Sequence, residues 1–194
     1  RKKLIRNAKL INEGQILERD VLVVGRRIDK IAPSISVTEN TFLIDAKGKY
    51  LIPGMIDDQV HFREPGLTHK GNISTESAAA AAGGITSFMD MPNVEPQTTT
   101  RQALLEKFKM AQDRCTVNYS FYLGATNDNI EEIKALKVND ACGIKAFLGA
   151  STGNMLINNL KSLDLLFEHA PIIVVTHCED SPLITENENK AYKN

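Results

Sequence analysis

From Pro53 onward the chain alternates short apolar runs with segments of helical composition, which predicts βα units around a parallel sheet. Strands are expected at residues 51–60, 85–91, 116–123, 142–148 and 171–176, with helices near 72–82, 99–113, 128–137 and 159–169. Ala78 to Ala82 run into Gly83-Gly84, a strong helix former followed by a glycine stop. Asp128-Asn129-Ile130-Glu131 sets a capping acceptor three residues before a carboxylate and predicts the start of the third helix. Residues before Pro53 have a different rhythm. Lys9-Leu10-Ile11 meets the turn Asn12-Glu13-Gly14, and Asp20-Val21-Leu22-Val23-Val24 turns through Gly25-Arg26-Arg27 into Ile28-Asp29-Lys30-Ile31. The expected organisation is a small β module over residues 1–52 and a β/α domain over residues 53–194.

A closed (β/α)8 barrel has eight such units and typically about 250 residues. Five units within 194 residues therefore predict an α/β fold that is the amino-terminal part of a (β/α)8 barrel, preceded by a small β-sandwich module. A complete five-stranded doubly wound domain is the alternative, but it has no place for the leading β module. A partial barrel exposes strand edges and half a core, so it is expected to associate with another copy or with the missing carboxyl-terminal half.

Composition narrows the partners. With 42% hydrophobic and 24% charged residues the chain is globular, while a net charge of −1 and a pI near 6.5 leave no basic surplus for nucleic acid or anionic membrane. A small polar or anionic substrate fits better. Cys115, Cys142 and Cys178 are odd in number and lack CxxC spacing, which argues against a disulfide framework or zinc knuckle and suits a reducing cytoplasm. The basic start, Arg1-Lys2-Lys3, is followed by no apolar signal region, and no run reaches transmembrane length.

The candidate chemistry sits at strand ends. The apolar run over residues 50–56 reads as a buried strand delivering Asp57-Asp58-Gln59-Val60-His61-Phe62-Arg63-Glu64-Pro65-Gly66 to its carboxyl end, where parallel α/β proteins keep their ligands. With a period of two, positions 59, 61 and 63 point one way, so His61 and Arg63 can face one pocket. His177 ends the run Ile172-Ile173-Val174-Val175-Thr176 in the same topological position, and two such imidazoles could approach a single metal. His169, at a helix end, reads as a partner of the helix dipole, and His69 as an exposed loop residue or a minor substrate contact. Lys145 lies within the apolar strand Cys142-Gly143-Ile144-Lys145-Ala146-Phe147-Leu148 and must lose its charge or find a partner. Carbamylation by carbon dioxide would turn its amine into a metal-bridging carboxylate; snorkelling, or an ion pair at the strand end, would also satisfy it. Arg63 offers a planar fork to a substrate carboxylate, or pairs with Glu64 or Asp57. Asn93, in Met91-Pro92-Asn93, offers a donor and an acceptor to a ligand, or simply makes a turn.

Taken together, these residues resemble a dihydroorotase of the amidohydrolase superfamily. The resemblance spans the chain: residues 50–57, His61-Phe62-Arg63-Glu64-Pro65-Gly66, Thr68-His69-Lys70, Asp90-Met91-Pro92-Asn93, Gly143-Ile144-Lys145 and Thr176-His177-Cys178-Glu179-Asp180. The Arg-Glu-Pro-Gly run with Met-Pro-Asn is the specific part. Hydantoinases share the first strand and the lysine strand, but as a family lack the arginine two residues after the second histidine. The resemblance implies a metal-dependent cyclic amide hydrolase that interconverts dihydroorotate and N-carbamoyl-L-aspartate in pyrimidine synthesis. It implies that His61, Lys145 and His177 are metal ligands, Lys145 as a carbamylated bridge, and that Arg63 and Asn93 bind the substrate carboxylate. It places the general-base aspartate after strand eight and a further histidine after strand six, so no catalytic base is expected in this chain, which by itself is expected to be inactive. Where the family has His-x-His at the first strand, this chain has Gln59, a weaker and harder ligand, so one zinc is expected, with any second site of low affinity. A dihydropyrimidinase- or allantoinase-type hydrolase, and a non-catalytic scaffold on the same fold, are the alternatives; Gln59 favours the scaffold, and the retained ligands oppose it.

Overall fold

The computed structural model describes residues 1–36, 38–149 and 154–192. The chain divides into two units, Arg1–Gly54 and Met55–Asn194.

The first unit is one mixed sheet of β1 (Lys2–Asn12), β2 (Gln15–Val24), β3 (Arg27–Ala32), β4 (Thr41–Asp45) and β5 (Tyr50–Leu51). Its order is β3-β2-β1-β4, with β5 also pairing with β1. The β1–β2 hairpin turns at Glu13-Gly14, both with positive φ (49° and 73°), the backbone that matches strand twist. Buried Asp20 accepts hydrogen bonds from the Asn7 and Ile35 amides at 3.2 and 2.9 Å and so ties the segment after β3 to β1.

In the second unit, β6 (Met55–Val60), β7 (Ile85–Asp90), β8 (Asn118–Gly124), β9 (Gly143–Phe147) and β10 (Val174–His177) are all parallel and lie in the order β10-β9-β8-β7-β6. Each strand neighbours the next in sequence. A doubly wound sheet reverses direction at a switch point, whereas strictly sequential order is that of a (β/α)8 barrel wall. The fold is the amino-terminal part of such a barrel, preceded by a β-sandwich module.

The helices are α1 (Ile73–Ala82), α2 (Arg101–Ala111), α3 (Ile130–Lys134), α4 (Leu160–His169) and α5 (Ser181–Ala191). Asn72 caps α1 by accepting from the Ser74 and Thr75 amides, and the helix ends at Gly83, with Gly84 at φ 91°. His169 ends α4, as expected of a dipole partner, and His69 is exposed in a loop. The core gathers Phe62, Ile73, Phe88, Leu104, Phe121, Leu123, Ile144 and Leu166 between sheet and helices; the Phe62 and Phe88 rings lie 4.4 Å apart and the Phe108 and Phe121 rings meet edge-on at 4.8 Å. No helix among the described residues is long and apolar enough to cross a membrane.

Three expectations need correction. Residues 50–60 are not one buried strand: β5 and β6 belong to different sheets, divided by Pro53-Gly54, because proline lacks the amide that a continuous ladder needs. Met55 and Ile56 are exposed, since β6 is the sheet's edge strand. The third helix is shorter than expected and is not capped by a side chain. Asn129 instead donates to the Thr99 and Gly124 carbonyls and accepts from the Thr126 amide, which makes it a loop clamp.

Candidate active site

β6 ends at Val60, and His61 follows it directly. The backbone then departs from strand geometry. Arg63 has φ 69°, so the expected alternation through residues 59, 61 and 63 does not extend past the strand. The turn is held by its neighbours: Glu95 donates its amide to the Pro65 carbonyl at 3.1 Å, and Gly66 lies at φ 82° where a Cβ would run into the Glu95 carbonyl. Only glycine fits there.

Glu64 anchors this turn to the start of α1 and to the turn that follows α2. Its carboxylate accepts a two-pronged hydrogen bond from Arg114 at 2.9 and 3.0 Å and a third from the Ile73 amide at the start of α1 at 2.8 Å. Burial alone would raise the Glu64 pKa; the Arg114 fork and the Ile73 amide outweigh it and hold the carboxyl below its ordinary 4.5. A depressed folded-state pKa contributes stability that is present above 4.5 and lost as pH falls through the folded value. Arg114→Met should therefore cost about 1 kcal/mol at neutral pH, the guanidinium being partly screened by solvent. Denaturant titration should show this deficit shrinking as pH drops below 4.5; a deficit independent of pH would remove Glu64 from the account.

His61 Nδ1 lies 2.9 Å from Asn93 Oδ1. The amide oxygen is an acceptor, so Nδ1 carries the proton and Nε2 keeps a lone pair, the arrangement that second-shell carbonyls impose on ligating histidines. Burial, then the charge of Arg63, lowers the His61 pKa below 6.5; the Asn93 hydrogen bond and the Asp90 charge oppose the shift, and the Lys145 charge adds to it. The shift favours the neutral imidazole. Arg63 is half-buried, and no carboxylate among the described residues lies within ion-pair distance of it, because Glu64 is committed to Arg114.

β9 is buried at every residue, and Lys145 is 2% exposed. Its ammonium lies 5.0 Å from the centre of the Phe147 ring, and no carboxylate among the described residues is within ion-pair distance. Burial pushes its pKa down. His177 ends β10 beside Phe147, their rings stacked at 6.2 Å, and its Nε2 lies 2.9 Å from Glu179 Oε1. With Nε2 engaged by a carboxylate, Nδ1 is the nitrogen left for a metal.

The structure thus joins His61 to Asn93, and gathers Lys145 and His177 around Phe147; His61, Asn93 and His177 lie at or just beyond carboxyl ends of parallel strands, and Lys145 lies in the middle of β9. Gln59 is exposed, and its backbone amide donates to the Asp57 carboxylate. Among the described residues no three of His, Cys, Asp and Glu converge as a metal site. The candidate donors are two imidazoles and one lysine, which as an ammonium would repel a cation and as a carbamate would offer a carboxylate.

Sequence reasoning missed three participants: Lys107, Arg114 and the role of Glu179. Lys107 left a signal, since it falls on the buried stripe of α2 with Leu104 and Ala111, where a charge is out of place. Arg114 and Glu179 lie in polar stretches and left none.

A family model described as "Dihydro-orotase-like" matches residues 48–189. The chain is 32% identical over 186 residues to an L-hydantoinase of Paenarthrobacter aurescens, and 34% identical over 187 residues to a dihydroorotase of Methanosarcina acetivorans. These alignments cover 93% and 95% of this chain, but 41% and 40% of the relatives. A solved L-hydantoinase (dihydropyrimidinase) from Arthrobacter aurescens superposes with a TM-score of 0.89 at 31% identity, over 99% of this chain and 44% of that one. A dihydropyrimidinase from Brevibacillus agri gives 0.79 at 26% identity, over 100% and 43%. The chain spans about two fifths of the length of the relatives it matches. By the family match and these relatives, the chain belongs to the dihydro-orotase-like family.

Proposed function

We propose that this chain carries the first part of the active site of a zinc-dependent dihydroorotase, which interconverts dihydroorotate and N-carbamoyl-L-aspartate in de novo pyrimidine synthesis. The observation that carries the reading is the 2.9 Å contact of His61 with Asn93, next to an Arg63 that no carboxylate among the described residues neutralises. A metal donor and two carboxylate-binding groups then share neighbouring strand ends. His61 Nε2, His177 Nδ1 and carbamylated Lys145 are the ligands, and Gln59 in place of a histidine limits the site to one tightly held zinc. Bound zinc would supply a Lewis acid and a water activated at neutral pH. The Arg63 fork and the Asn93 side-chain NH2 hold the ring carboxylate and so fix which amide faces that water. In the hydrolytic direction water oxygen adds to the ring carbonyl, the C–N bond breaks, and the ring nitrogen takes a proton. No residue of this chain is assigned the general-base role.

A second reading, a hydantoinase-type hydrolase, is favoured by the likeness to the two hydantoinases and dihydropyrimidinase above. A substrate panel on the full-length protein with zinc separates them. The dihydroorotase reading expects turnover of dihydroorotate and cyclisation of N-carbamoyl-L-aspartate, with hydantoin and dihydrouracil far poorer. Preference for rings that lack a carboxylate would establish the second reading instead.

A further inference from the structure

Beneath the candidate site lies an ion pair that the proposed reaction does not use. Asp90, the last residue of β7, and Lys107, on α2, are both 0% exposed, with Lys107 Nζ 2.7 Å from Asp90 Oδ2. Each partner also grips the backbone. Asp90 Oδ1 accepts from the Phe62 amide at 2.9 Å, and Lys107 Nζ donates to the Met91 carbonyl at 2.9 Å. The Met91 amide in turn donates to the Val60 carbonyl at 3.0 Å. Phe62 lies between His61 and Arg63, and Met91 lies two residues before Asn93.

We propose that the Asp90–Lys107 pair is a positioning device: it fixes the Val60–Arg63 and Met91–Asn93 segments to each other and thereby sets the His61–Asn93 contact. A buried ion pair is a poor way to gain stability, because two well-packed apolar side chains of similar volume generally do as well or better. An apolar pair would, however, leave the Phe62 amide and the Met91 carbonyl without partners, and both flank the candidate ligands. The wall around the pair is closely packed and aromatic. Lys107 Nζ lies 5.0 Å from the centre of the buried Phe121 ring, and Phe62 packs on Phe88. Burial pushes the Lys107 pKa down, and the adjacent Asp90 carboxylate opposes that shift. Among the described residues Asp90 and Lys107 make no hydrogen bond or ion pair to a candidate ligand side chain; they hold the flanking backbone, while the Asp90 charge is also felt at His61 through space.

The inference rests on reading His61 and Asn93 as site residues, and its test has a readout that needs no turnover. In full-length protein labelled with 15N-histidine, the His61 Nδ1–H resonance reports its hydrogen bond to Asn93 and is assigned by its loss in His61→Gln. The double variant Asp90→Asn/Lys107→Met keeps an acceptor for the Phe62 amide and leaves no unmatched buried charge. It is expected to displace that resonance and to lower kcat/KM roughly 10²-fold, the scale of a small misplacement of reacting groups. Lys107→Arg, which keeps the charge but alters the reach to Met91, shifts the resonance less. Leu104→Ala, a core truncation on the same helix, lowers the melting temperature but leaves the resonance in place. An unmoved resonance in the folded Asp90/Lys107 variants, or an equal displacement in Leu104→Ala, overturns the inference. Absence of hydrolysis by the unaltered protein would instead sink the dihydroorotase reading and leave the resonance to decide this one.

Discussion

Replacing Lys145 by methionine in the full-length protein is expected to abolish zinc binding and to lower kcat/KM by several kcal/mol, roughly 10³-fold or more. The expectation rests on where the amine lies. Every residue of β9 is buried, Lys145 is 2% exposed, and its pKa is pushed down by that burial with no carboxylate among the described residues to hold the charge. Burial disfavours the ammonium form, and the neutral amine is the form that adds carbon dioxide. Methionine fills most of the same volume, so the variant should fold and melt near the unaltered protein. Elemental analysis reads the zinc, and intact mass reads the added carbon dioxide on the unaltered chain. A methionine variant that kept stoichiometric zinc would remove Lys145 from the ligand set.

The second large effect is expected at Arg63. Arg63→Met should lower kcat/KM for dihydroorotate by about 2–4 kcal/mol, roughly 30- to 10³-fold, and leave turnover of rings without a carboxylate unchanged. Arg63→Lys should recover only part of the loss, because a point charge cannot reproduce the two-pronged fork. The structural reason is the division of labour between Arg63 and Arg114. Glu64, the nearest acid in sequence, is taken by Arg114 and the Ile73 amide, which leaves the Arg63 guanidinium without a carboxylate among the described residues. The positive φ of residue 63 is the same for arginine, lysine and methionine, so backbone strain does not separate the variants. Equal losses on substrates with and without a carboxylate would mean that Arg63 shapes the turn and does not bind substrate.

The parallel sheet was legible because its signals are local. Apolar runs at regular spacing, the polyalanine helix closed by Gly83-Gly84 and the Glu13-Gly14 turn each carry their own chemistry. A lysine inside an apolar strand was legible for the same reason. What the sequence concealed depends on contacts distant along the chain. Arg114 meets Glu64 across 50 positions, and Lys107 reaches Met91 from another element. Arg63 leaves strand geometry because Gly66 and Glu95 close the turn, and no period-two count contains that. The exposure of Met55 and Ile56 follows from the edge position of β6 and not from their apolar character. Helix α5 was not anticipated because none of its residues is buried, so it lacks the apolar stripe by which helices are read.

We propose above that His61, Lys145 and His177 hold one zinc ion. This is tested most directly by anomalous scattering at the zinc edge from crystals of the full-length protein grown with zinc and bicarbonate. One strong peak is expected about 2.0–2.1 Å from His61 Nε2 and from His177 Nδ1, with a carboxylate on Lys145 reaching it. A peak elsewhere, or none, beside an unmodified Lys145 amine would contradict it.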